Sequence, residues 1–157
     1  MTLIILWLIQ DLLTVFTGGT MQVPGLFMLG LVFRLLFCEI GNDDESVWAV
    51  WLAFAGGLLW DLRWIGIPGF FTLGYVIVVL IVIQVWGIIP PHGRASGTGL
   101  IVFLLLECSQ LIPPLLPLLI LGGSTGGSYF VWQQTYSLPA ILFTMYLYFK
   151  KVKDTNL

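Results

Sequence analysis

Charge is almost missing from the long stretches of this chain, and that gap limits what it can fold into. Between breaks made of Gly, Pro or clustered acids and bases, the sequence runs apolar over segments long enough to be helices. Only 9% of the 157 residues are charged while 59% are hydrophobic, and mean hydropathy is +1.02. A soluble domain carries about 25% charged residues, so a chain this poor in charge is not built to face water on all sides. Lipid is the alternative solvent. One span takes roughly 20 mainly apolar residues, which leaves room for about six spans and excludes a large soluble domain. In lipid every backbone N–H and C=O must pair internally, and the segments are too long and continuous for barrel strands. The expected fold class is therefore an all-α membrane protein of six transmembrane helices, with residues 1–157 as a single integral domain.

The breaks divide the chain into spans of approximately 2–16, 23–40, 46–60, 68–89, 97–121 and 129–149. Thr17-Gly18-Gly19-Thr20 ends the first, and Gly41-Asn42-Asp43-Asp44-Glu45 ends the second in water. Asp61-Leu62-Arg63 stops the short third span, and Pro90-Pro91-His92-Gly93-Arg94 closes the fourth. Pro113, Pro114 and Pro117 interrupt the fifth, and the Gly/Ser connection 122–128 leads to the last. The start, Met1-Thr2-Leu3, lacks the basic residues of a cleaved leader, so a retained first span is expected. Lys150, Lys151 and Lys153 assign the C-terminus to the cytoplasm, and an even number of spans puts the N-terminus there too. Arg94 then falls on the same side, and Arg63 alone falls outside.

Net charge is −2, without the clustered bases of a nucleic-acid surface. Cys38 and Cys108 each sit in an apolar segment and read as small core residues, not as a disulfide. His92 stands in a turn, and one histidine makes no metal site. No Gly-x-Ser-x-Gly turn, His-Glu-x-x-His pair or phosphate-cradling Gly-x-x-x-x-Gly-Lys loop occurs, so neither catalysis nor a cofactor is expected. Trp48, Trp51, Trp60, Trp64 and Tyr129 fall mostly near span ends, as an interfacial belt would.

Two patterns single out particular residues. Ala49, Ala53 and Gly57 recur every fourth residue along the third span, and Asp61 continues the series. Small residues at that spacing let a second helix approach closely, either from this chain or from a partner protein. Asp11, Arg34 and Glu107 lie inside apolar segments, where an ionisable group is costly and usually faces another. At roughly 1.5 Å per residue, Asp11 and Glu107 lie about 15 Å from the inner surface and Arg34 about 9 Å. With Gln84 they could form one buried polar cluster that pins the bundle, or line a solute or partner site.

The run Phe54-Ala55-Gly56-Gly57-Leu58-Leu59-Trp60-Asp61-Leu62, followed by Gly66-Ile67-Pro68-Gly69-Phe70-Phe71-Thr72-Leu73-Gly74-Tyr75, resembles the core signature of the MreD family of rod shape-determining proteins. That signature is an apolar span ending in Gly-Leu-x-x-Asp, a short polar break, then a Gly-led span rich in small and aromatic residues. The resemblance is best over residues 22–80. It implies a non-enzymatic scaffold in the bacterial inner membrane that supports cell shape and lateral peptidoglycan synthesis. The implied partners are an MreC-like single-span protein and, around it, MreB, RodA and a class B penicillin-binding protein. It also implies the six-helix fold of the S-components of energy-coupling factor transporters, with Gly57 and Asp61 as interface residues. A solute-binding S-component is the alternative function. Such proteins usually carry Ala-x-x-x-Ala in the first span, whereas here Leu3–Leu13 contains no alanine.

Overall fold

The apolar segments fold as helices. The computed structural model describes residues 1–17, 23–37, 43–66, 68–89, 98–121 and 126–155, and among them there are six α-helices and no strand. They are α1 (Thr2–Phe16), α2 (Leu26–Phe37), α3 (Asp43–Trp60), α4 (Phe70–Ile88), α5 (Gly99–Leu121) and α6 (Gly126–Thr155). A π-helical turn, Asp61–Ile65, continues α3. Among the described residues, only α4 is long and apolar enough to cross a bilayer on that test; α1, α2 and the first part of α5, Gly99–Leu115, are apolar but shorter.

Several boundaries move from their sequence expectations for local reasons. The second segment becomes helical only at Leu26, after Pro24, which has no N–H to donate. α3 begins at Asp43, so the acidic run expected in a loop is helical, and the carboxylates of Asp44 and Glu45 fall in the first turn, near the positive helix end. α6 takes in Gly126 and Gly127 and runs on through Lys150–Lys153. α5 passes through Pro113 and Pro114, both buried, instead of breaking there. At that level α4 comes so close that a Cβ on Gly74 would lie 2.7 Å from the Pro113 Cα. His92, Arg94 and Cys38 lie outside the described residues.

α2 and α4 form the centre. Apart from Arg34, α2 is apolar, and it buries Phe27, Met28, Leu29, Leu31, Val32, Leu35 and Leu36, touching each of the other helices. α4 buries one face, with Phe71, Tyr75, Val78, Val82 and Trp86 at helical spacing, and packs most extensively on α3 and α5. α1 is inverted relative to a water-soluble helix. Its buried residues are Gln10 and Thr14, while Ile4, Ile5, Leu8, Ile9, Leu12 and Phe16 face outward.

Candidate functional site

The start of α4 lacks a local cap. Its N-cap is Gly69, which has no side chain, so the first N–H groups of the helix need an acceptor from elsewhere. Asp61 supplies it. Its carboxylate is fully buried and accepts from the backbone N–H of Gly69 (2.9 Å), Phe71 (2.9 Å) and Thr72 (3.0 Å), and from the Thr72 hydroxyl (2.7 Å). A carboxylate at a helix N-terminus also meets the positive end of the dipole. Two glycines at positive φ, Gly66 at 74° and Gly69 at 122°, let the chain turn back sharply enough to bring α4 onto Asp61. One turn earlier Gly57 lies flush on the same place: a Cβ there would come within 2.5 Å of the Thr72 Cα.

α1 is fastened to this joint. Trp7 donates its indole N–H to the Gly56 carbonyl (3.3 Å) and meets Trp60 edge-to-face, with centroids 6.3 Å apart. Asp11 accepts from Arg63 (2.7 Å) and from the Trp64 indole (3.0 Å). Trp60 also lies against Phe71, and Phe71 against Tyr75, so aromatic rings continue the joint inward. Trp60 is 3% exposed and belongs to this cluster, not to an outer belt; Trp48 and Trp51 are exposed.

The short central helix is capped in the same way by its neighbours. Gln10 of α1 accepts from Phe27 N–H (3.0 Å), and Gln110 of α5 accepts from Gly25 N–H (2.7 Å) and donates to the Gly25 carbonyl (3.3 Å). At the other end of α2 the Trp86 indole donates to the Leu36 carbonyl (3.1 Å). The first N–H groups and last carbonyls of a helix have no partner within it, so both ends of α2 need such partners.

The far end of the molecule is open. Beside α2, α1 and α3 stand apart across a cleft of about 840 Å³. Its walls include Leu3 and Leu6 of α1 and Trp48 and Leu52 of α3, with Gly30 and Leu31 of α2 between them. Arg34, Glu45 and Lys151 also line it. The Lys151 ammonium sits over the Phe37 ring, 4.1 Å from its centroid.

The structure distributes the sequence-selected residues differently from expectation. Ala49, Ala53, Gly57 and Asp61 do share one face, but all four are buried in the chain's own core, so the stripe serves an internal contact rather than an exposed partner face. Asp11, Arg34, Gln84 and Glu107 do not come together. Asp11 lies past the middle of α1 and pairs with Arg63, Arg34 is exposed in the last turn of α2 beside the cleft, Gln84 is exposed and Glu107 is half-buried. Position along α1 does not say which helix stands opposite Asp11, and its partners are Arg63 and Trp64 beyond the end of α3. Gln10, Gln110, Thr72 and Trp86 were not singled out. The available signal was the absence of Ser, Thr, Asp or Asn immediately before Leu26 and Phe70, which means that both helix starts need an acceptor from outside their own segment. No group of His, Cys, Asp and Glu able to hold a metal occurs among the described residues. Compared with family models, characterised proteins and solved structures, the chain matches none.

Proposed function

We propose that this chain is a multi-pass membrane scaffold of the MreD type, a non-enzymatic component that holds an MreC-like single-span protein within the machinery of cell-wall elongation. Support for the membrane location comes from the inverted surface. α1 hides Gln10 and Thr14 and turns its isoleucines and leucines outward, and α6 exposes Val131, Leu142, Phe143 and Leu147. Exposed apolar area on that scale is a liability in water and the normal outer surface in lipid. Met1 and Lys151 line the same cleft, which supports an even number of crossings with both termini on one side, the cytoplasmic side by the positive-inside rule.

The observation that carries the family reading is the identity of the joint. The residues that make the resemblance (Gly57, Asp61 and the Gly-led segment beginning at Gly66) are the ones that lock α3 to α4. The signature is thus a folding device, and partner contact belongs to surfaces outside it. The test is co-purification of the tagged chain from native membranes of its own cell. Recovery of a single-span protein with an extracytoplasmic coiled coil, together with elongation enzymes, is the expected result. Recovery of a coupling subunit with ATPases would overturn the scaffold in favour of an S-component, and stabilisation by one small solute would do the same.

A further inference from the structure

The cleft between α1 and α3 combines three features. It is wide, at about 840 Å³. Its walls are apolar, with Leu6 and Leu52 on opposite sides and Leu31 between them. Charged groups of both signs line it: Arg34 from the last turn of α2, Lys151 from the C-terminal part of α6 and Glu45 from the first turn of α3. All three come from the helix ends at the termini side of the molecule, so a long apolar body could lie between α1 and α3 with its polar head at that end.

We infer that the cleft is a binding site for one phospholipid of the leaflet that faces the termini, with its phosphate on Arg34 and a headgroup ammonium on Glu45. The inference rests on the membrane location proposed above. Charge complementarity selects the occupant. A guanidinium matches a phosphate in bidentate fashion. Glu45 would repel a purely anionic headgroup, and a quaternary ammonium has no N–H to donate to it. A headgroup carrying a phosphate and a primary ammonium, as in phosphatidylethanolamine, complements Arg34 and Glu45 together. An acyl chain between Leu6 and Leu52 would supply the dispersion contacts that the open cleft lacks.

The experiment is native mass spectrometry of the full chain released from membranes of mixed phosphatidylethanolamine, phosphatidylglycerol and phosphatidylcholine. Wild type is compared with Arg34→Ala, Glu45→Gln and Leu52→Trp. Arg34 is exposed and Leu52 only half-buried, so these variants test the cleft more than the core. The expected result is one retained phosphatidylethanolamine on wild type. Its bound fraction should fall about tenfold in Arg34→Ala, the scale of one lost charge-assisted hydrogen bond. Leu52→Trp, which fills the cleft, should exclude the lipid, and Glu45→Gln should lose the preference over phosphatidylglycerol. Equal retention of all three lipids by wild type, or unchanged retention in both Arg34→Ala and Leu52→Trp, would overturn the site. A partner polypeptide held in the cleft in place of lipid would overturn it too. Extraction of the same membranes with alkaline carbonate separates the two levels. Protein that stays in the pellet without retained lipid refutes the site alone, and protein washed into the supernatant refutes the membrane location as well.

Discussion

The two ends of the α1–α3 pair contrast sharply. At one end the helices are bound together by the Trp7–Gly56 hydrogen bond, the Trp7–Trp60 contact and the Asp11–Arg63 pair, with Asp61 tying α3 to α4 directly behind them. At the other end the same two helices part around a cleft, although Leu3, Leu6, Trp48 and Leu52 offer ample apolar surface on both sides. In lipid, apolar side chains gain little by meeting each other instead of an acyl chain. What fixes a helix pair there is hydrogen bonding, and among the described residues it joins α1 to α3 and its π-helical continuation at the closed end and not at the open end.

Substitutions at the closed end should therefore cost stability, and those at the open end should not. The largest effect is expected for Asp61→Ala, which orphans three backbone N–H groups and a hydroxyl in a fully buried place. About 3 kcal/mol or more should be lost, read as a large fall in the melting temperature of the purified protein in detergent. Gly57→Ala forces a methyl into the Thr72 backbone, which cannot swing aside as a side chain can, so a loss of about 1–3 kcal/mol is expected in the same assay. Gln110→Ala leaves Gly25 N–H unpaired and should cost about 1–2 kcal/mol, with hydrogen exchange at the start of α2 accelerating first. Arg63→Ala removes an ion pair whose arginine is 53% exposed, so no more than about 1 kcal/mol should go, and less at high salt. Arg34→Ala, at the open end, should leave the stability within about 0.5 kcal/mol of wild type, with little change in melting temperature. A large loss there would show that the ends do not differ as described.

Much of the architecture was legible in the sequence because hydropathy and breakers speak directly to helix existence. α1 matches its expected bounds, and α4 and α5 start only two residues later than expected, at Phe70 and Gly99. The acidic run Asp43–Glu45 was misplaced into a loop because charge looks the same there as in the first turn of a helix. The polar partnerships were harder. Sequence position says how far along a helix Asp11 lies, but not which way it points or which helix stands opposite, and those decide that Arg63 rather than Arg34 is its partner. Asp61 was visible as the end of a stripe of small residues. That it closes the stripe inward follows only once Gly69 is recognised as a helix start with no acceptor of its own. A bulkier residue at Gly57 would accordingly open the chain's own joint before it reported on any partner.

The most direct test is hydrogen–deuterium exchange at the amides of Gly69, Phe71 and Thr72 in the purified chain, with no partner present, for wild type and Asp61→Ala. Strong protection in wild type, lost in Asp61→Ala while the amides of mid-α4 stay protected, is the expected outcome. Rapid exchange at these amides in the partner-free wild type would contradict it, because Asp61 would then be waiting for another protein instead of holding its own fold.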